Sequence, residues 1–147
     1  MNNEIQVVAI QELINSLLDD STPFPPRYLY RLSDLENSEI ELLTEMWGQI
    51  PSWRRKALIE DLSELGENDH LLDFEIIALL AVKDDHPGTR LAAVQTLSEY
   101  DSRRLVDVFL ELLLNDPDEN VRAASAASLA RFVYAGEVEQ FNGSGYG

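Results

Sequence analysis

The chain has 147 residues, of which 27 are acidic and 11 are basic, so its formal net charge at pH 7 is −16. It has no cysteine, which excludes disulfides, thiolate metal ligands and cysteine nucleophiles. The acidic excess is spread along the whole chain; such a surface repels nucleic acid and anionic membranes and attracts basic partners. We therefore expect neither nucleic acid nor membrane as a partner. The first residues have no basic segment leading into an apolar run, so a cytoplasmic location is predicted.

The N-terminal part predicts two helices separated by a break. Residues 5–19 carry apolar side chains at helical spacing and predict an amphipathic helix. The sequence STPFPP at 21–26 ends it, because prolines this dense cannot continue a helix. A second helix is predicted from Ser38, whose hydroxyl caps it and whose capping box is completed by Glu41, and it ends near Gly48.

Three aromatic residues lie between these two helices, and they allow two interpretations. Phe24, Tyr28 and Tyr30 either plug the first helix of the region that follows or form a contact surface for a partner.

From Pro51 onward the sequence repeats. The segments RRKALIEDL, TRLAAVQTL and VRAASAASL align with Arg55, Arg90 and Arg122 in register, each followed by alanine two residues later and leucine seven residues later. The periods are 35 and 32 residues. Such a period is typical of helical repeats.

Two apolar segments lie between the arginine segments and complete the repeats. Residues 71–83 and 103–115 align at an offset of 32 and predict the second helix of each pair. In the turn after the later one, Asp116 is predicted as the N-cap and Glu119 as its capping-box partner. Because one helical pair cannot bury its apolar face alone, the pattern predicts an all-α solenoid of stacked helical hairpins.

The signatures DDHPGTRLAAVQTL and NDPDENVRAASAASL resemble HEAT repeats, in the short form common in bacterial HEAT-repeat proteins. The resemblance extends over residues 51–135 and is weaker for the repeat at Pro51. It implies an α-solenoid with a protein-binding role. It also implies a structural role for Arg55, Arg90 and Arg122, with each arginine bonding a turn aspartate of a neighbouring unit. Arg90 is then expected to pair with Asp116 or Asp118.

These observations predict three regions. Residues 1–50 form an N-terminal helical cap with a proline- and aromatic-rich linker, residues 51–135 form the HEAT-like array, and residues 136–147 form a flexible tail.

No metal, cofactor or catalytic site is predicted. Asp116, Asp118 and Asn120 match the first ligands of a calcium loop, but Val121 replaces its glycine and Ala127 its glutamate. The two histidines fall in separate turns, which leaves a zinc site short of ligands. We therefore expect a non-enzymatic protein.

The predicted binding surface is an acidic stripe. Glu75 aligns with Asp107, and Leu79 with Glu111, on the second helices of successive repeats. The resemblance implies that these helices line the concave face, where partners of HEAT arrays bind. The alternative is a merely solvated stripe.

The predicted function is a protein-interaction scaffold or regulatory module with a basic or helical protein partner. The alternative is an accessory subunit of an enzyme, of the kind that HEAT-like proteins form in bilin attachment. A DNA-binding solenoid needs a basic concave face, which the charge argues against.

The array is predicted to end after a single helix, at 119–135, whose apolar side chains Leu129, Phe132 and Val133 then lack a complete cover. Three covers are open: the chain's own Phe141 and Tyr146, a second copy in a homo-oligomer, or further residues of a longer natural chain.

Overall fold

The computed structural model describes the backbone of residues 8–143 and the side chains of residues 8–136. Every regular element of this part is helical, which confirms the predicted all-α class with helical repeats. The α-helices are α1 (Ile10–Leu18), α2 (Asn37–Met46), α3 (Ser52–Asn68), α4 (Glu75–Ala81), α5 (Pro87–Leu97), α6 (Arg104–Asn115) and α7 (Glu119–Gly143). Two 3-10 helices, Pro26–Leu32 and Trp47–Gln49, precede and follow α2.

The chain divides into two compact units, Met1–Leu97 and Ser98–Gly147. The boundary predicted at residue 51 falls inside the first unit. The boundary predicted at residue 136 falls inside α7, which continues to Gly143. One glycine within a helix costs only about 1 kcal/mol relative to alanine, so Gly136 does not end α7.

The N-terminal helix is held on the first unit by a buried arginine. Leu13, Ile14 and Leu17 are wholly buried on the inner face of α1. Arg54 of α3 donates to the carbonyl oxygen of Ser16 at 3.0 Å and to that of Thr22 at 2.9 Å. The end of α1 and the start of the linker are therefore fixed to α3 by the same guanidinium group.

The turn between the first 3-10 helix and α2 makes a second attachment. Asp34 has a φ of 54°, a left-handed conformation that aspartate tolerates better than most residues. Its N–H donates to the carbonyl oxygen of Asp73 at 2.9 Å, and the N–H of Asp73 donates to the Ser33 hydroxyl at 2.8 Å. The predicted cap is thus bonded to the turn that precedes α4.

The start of α2 differs from the prediction by two residues. The capping box is formed by Glu36 and Glu39, not by Ser38 and Glu41. The Glu39 carboxylate accepts the Glu36 N–H at 2.9 Å and also pairs with Arg31 of the preceding 3-10 helix. This ion pair selects the Glu36–Glu39 box, and it is a contact that local sequence does not show.

Helix α5 packs against both α3 and α4 and forms the core of the first unit. Pro87 is its first residue, as predicted. Helix α4 is shorter than the predicted 71–83, because aspartate side chains form turns before it. Asp69 accepts the N–H of Leu71, and Asp73 accepts the N–H of Glu75, both at 3.0 Å.

In the second unit, α6 packs against α7. Phe109 of α6 is wholly buried, and its ring centroid lies 6.1 Å from that of Phe132 on α7. The side chain of Phe141 and the whole of Tyr146, which were among the predicted covers of this end, lie outside the described residues.

The cap of α7 also differs from the prediction. Asp118 is the capping residue, since its carboxylate accepts the N–H groups of Asn120 at 2.8 Å and Val121 at 3.1 Å. Asp116 instead accepts the N–H of Asp118 at 2.9 Å and so holds the turn. With two aspartates in one turn, the one nearer the helix caps it, and α7 begins at Glu119, where the predicted helix 119–135 starts.

Two leucines of the first unit provide a matched test of this core. Leu97 is wholly buried and Leu71 is 92% exposed. We expect Leu97→Ala to lower the free energy of unfolding by about 2–5 kcal/mol, because it removes buried methyl groups and leaves a cavity. Leu71→Ala should change it by less than about 0.5 kcal/mol. Urea unfolding followed by circular dichroism measures both, and equal losses would contradict the packing of α5.

Candidate partner-binding surfaces

The three repeat arginines bond the turns that precede their own helices. Arg90 donates to the carbonyl oxygens of Asp84 and Asp85 at 2.9 and 3.1 Å, and Arg122 donates to that of Asp116 at 2.8 Å. Arg55 bonds the carbonyl oxygen of Ile50 in the same way. These bonds hold each turn against its helix. The predicted pairing of Arg90 with Asp116 or Asp118 joins residues of different units and stays a prediction.

Arg55 also crosses to the turn before α5. Its Nε lies 2.6 Å from Oδ2 of Asp84, and the Asp84 side chain is 1% exposed. The same oxygen accepts the indole N–H of Trp47 at 2.7 Å. The other carboxylate oxygen accepts the backbone N–H of His86 at 2.9 Å. One buried carboxylate therefore joins the end of α2, the start of α3 and the start of α5.

The environment of Asp84 has opposing effects on its pKa. Burial by itself raises the pKa of this carboxyl. The hydrogen bonds from Arg55, His86 and Trp47, with the charge of Arg55, outweigh burial and lower the pKa below the ordinary value of 3.8. Asp84 is therefore ionised at neutral pH and serves as the anion of a structural ion pair.

The predicted acidic stripe needs one correction. Glu75 is only 8% exposed, because it is the first residue of α4 and packs inside the first unit. It is therefore not an accessible carboxylate. Leu79, on the same helix, is half-buried. Asp107 and Glu111 belong to the second unit, and both are exposed on α6.

The aromatic set of the linker divides into buried and accessible members. Tyr28 is buried, with the Phe24 ring edge-on at 5.7 Å and the Arg27 guanidinium over its face at 5.1 Å. Phe24 is half-buried and Tyr30 is 53% exposed. Tyr28 thus belongs to the packed interior, whereas Phe24 and Tyr30 remain accessible to a partner.

A groove that the sequence did not reveal lies beside Phe24. It has a volume of about 500 Å³ and runs between the linker and α3. Its lining is mostly apolar, and Trp53 on its edge is 56% exposed. The one sequence signal for it was Trp53 itself, a tryptophan where the later repeats have an acidic turn.

The part of the chain that the structure describes holds no group of three or more metal-ligating side chains. His86 acts as a turn residue, since its Nδ1 accepts the N–H of Gly88 at 3.2 Å. Among the described helices, none is both long and apolar enough to cross a membrane.

Residues 75–139 match a family model described as HEAT repeats. The match runs from the start of α4 into α7 and confirms the resemblance seen in the repeat signatures. HEAT repeats generally mediate protein–protein interaction, and the family is typically non-catalytic. No curated protein and no solved structure gives a significant match to the chain.

The Arg55–Asp84 pair should contribute strongly to stability. We expect Arg55→Ala to lower the free energy of unfolding by about 3–5 kcal/mol, because it leaves a buried carboxylate without its cation. The control is Glu60→Gln, which removes the exposed pair between Lys56 and Glu60 on the same helix. That change should cost less than about 1 kcal/mol. Urea titration of both variants measures the difference, and similar losses would contradict a structural role for the buried pair.

The lowered pKa of Asp84 gives a pH dependence with a definite sign. A carboxyl whose pKa is lower in the folded state stabilises the fold above its ordinary pKa, and this contribution is lost as the pH falls through the folded-state value. Wild type should therefore exceed Asp84→Asn in stability near neutral pH, and the gap should narrow as the pH drops below 3.8. Thermal melts of both proteins over a pH series measure the gap. A gap independent of pH would show that ionisation of Asp84 does not matter.

Proposed function

We propose that this protein is a non-catalytic interaction module, a scaffold or regulatory binding subunit, whose acidic surface favours a basic protein partner. The observation that carries the proposal is the exposed face of α6 within the HEAT-matched segment, where carboxylates and leucines alternate. The charge of the remaining surface supports it.

The basic residues of the chain contribute little to its surface. Arg54 and Arg55 are buried and bonded inside the first unit. Over residues 8–136, exposed acidic side chains outnumber exposed basic ones by about three to one. The exposed basic ones are Arg27, Lys83, Arg103, Arg104 and Arg131. The surface is therefore more acidic than the composition implies, which steers basic partners toward it.

Helix α6 presents both charge and apolar area on one face. Asp107, Leu110, Glu111 and Leu114 are spaced three and four residues apart, so they share a face of the helix. All four are exposed, Leu114 to 68% and Leu110 to 43%. Leucines exposed at this spacing are typical anchors for a partner helix, and the carboxylates beside them favour lysine or arginine on that helix. A basic amphipathic helix fits both features.

A pair of charge reversals tests this face against the charge of the whole molecule. The probe is a synthetic amphipathic helical peptide of leucine and lysine, with a leucine–glutamate peptide as the negative control. Asp107→Lys with Glu111→Lys should weaken binding of the lysine peptide at least tenfold, because both carboxylates become repulsive. Isothermal titration calorimetry measures the affinity, and a tenfold loss corresponds to about 1.4 kcal/mol.

The matched control is Glu41→Lys with Glu45→Lys, which reverses two exposed carboxylates of α2 and changes the net charge by the same amount. It should weaken binding less than threefold. Equal losses from the two pairs would mean that bulk charge alone attracts the peptide. Binding of the glutamate peptide as tightly as the lysine peptide would contradict the preference for a basic partner.

A further inference from the structure

The groove of the first unit lies outside the HEAT-matched segment. Phe24 and Leu29 of the linker form one side, and Trp53 and Leu58 of α3 form the other. Asp61, one turn beyond Ala57 on α3, also lines it.

The repeat register shows what this face of α3 is built to accept. Ala57, Leu58 and Asp61 follow Arg55 by two, three and six residues. In the next repeat the same positions, counted from Arg90, are held by Ala92, Ala93 and Thr96. All three of these are buried, on a helix that packs against two others. At the corresponding α3 positions Leu58 is buried, but Ala57 is only half-buried and Asp61 is exposed, where the linker leaves the groove.

The charge of the groove is acidic and uncompensated. Asp20 and Asp61 line it and are both exposed. The one basic residue of the lining is Arg54, which is 5% exposed and donates to two backbone carbonyl oxygens. Its guanidinium is therefore committed to holding the linker. An occupant of the groove meets free carboxylates and no free cation within the lining.

The surroundings of Asp61 disfavour the ionised form of its carboxyl group. Partial desolvation of the carboxyl, followed by the charges of Glu64 and Glu60, raises the pKa of Asp61 above its ordinary value. A lysine or arginine brought beside Asp61 stabilises the ionised form and relieves this repulsion. The carboxylates of the groove thus favour an occupant with a basic side chain. The apolar part of the lining favours an occupant that also carries an apolar side chain.

We propose that this groove binds one helix of a partner protein, with an apolar side chain against Phe24 and Trp53 and a lysine or arginine beside Asp61. The inference rests on the proposed function, since it assumes a basic protein partner, and it adds to the α6 face a second binding surface in the other unit. The occupant covers the half-buried Ala57 and the exposed Trp53 of α3.

Tryptophan fluorescence gives a readout local to the groove. Trp53 is 56% exposed, whereas Trp47 is 6% exposed and already bonded to Asp84. Titration with the leucine–lysine peptide should shift the emission to shorter wavelength as Trp53 is covered. In Trp53→Phe the shift should vanish while calorimetry still detects the peptide, which assigns the signal to Trp53.

Three variants then separate the groove from other acidic surfaces. Asp61→Lys and Ala57→Phe should each weaken the binding measured by Trp53 emission at least tenfold, the first by repulsion and the second by filling the groove. Glu45→Lys, an exposed reversal on α2 with the same charge change as Asp61→Lys, should weaken it less than threefold. Melting curves show whether each variant is folded. If Ala57→Phe does not fold, Asp61→Lys alone still tests the groove.

Several outcomes would overturn the proposal. The absence of any shift with wild type would show that the peptide does not cover Trp53. Equal weakening by Asp61→Lys and Glu45→Lys would show that the net charge of the protein, and not the groove, attracts the peptide. Self-association of wild type that Ala57→Phe abolishes would assign the groove to a second copy. A tenfold gain in affinity on removal of residues 1–7 would assign it to the chain's own N-terminal segment.

The proposals for the α6 face and for the groove can be contradicted independently of each other. Asp107→Lys with Glu111→Lys should leave the Trp53 shift unchanged while lowering the total binding seen by calorimetry. Loss of the Trp53 shift in that variant would show that the groove is not an independent site. Loss of groove binding with intact α6 binding would overturn the groove alone and leave the proposed function standing.

Discussion

A buried carboxylate organises the first unit. Asp84 accepts hydrogen bonds from Arg55, Trp47 and the backbone of His86, so the turn before α5 is joined to the end of α2 and the start of α3 through one side chain. A buried ion lowers stability by several kcal/mol unless it is paired and hydrogen-bonded. If one of these segments moved away, the Asp84 carboxylate would lose a partner and the fold would lose stability. The preceding residue, Arg54, binds the end of α1 and the linker. Two consecutive arginines thereby attach α3 to the next repeat and to the cap.

The same pairing shapes the surface. Among the arginines that hold turns and helices together, Arg54 and Arg55 are buried and Arg90 and Arg122 are half-buried, while most carboxylates of the described residues are exposed. An interior stabilised by cations therefore leaves an exterior dominated by anions. On α6 this exterior includes exposed leucines, and at the groove it includes Trp53. Both surfaces combine apolar area with negative charge, a combination that suits basic amphipathic segments better than small anions or nucleic acid.

Sequence periodicity predicted the helical class, the HEAT resemblance and the position of α5 closely, because apolar spacing, prolines and turn aspartates act locally. It placed the start of α2 and the capping residue of α7 less well. At α2 the choice between capping boxes depends on Arg31, a residue of another element, and at α7 two aspartates of one turn compete for the same N–H groups. Glu75 shows the same limit for function. Alignment with Asp107 gave its repeat position correctly, but burial depends on which helices pack around that position, and α4 and α6 differ in this respect.

The sequence by itself therefore determined the fold class, the repeat register and the acidic character of the protein, since these follow from composition and short-range spacing. Only the tertiary structure decided which carboxylate forms the ion pair with Arg55, which acidic residues are exposed to solvent and where the linker leaves α3 uncovered. Those outcomes arise from contacts between residues up to 40 positions apart, such as Ser33 with Asp73. Their energies depend on burial and mutual geometry, which the order of residues along a helix does not specify.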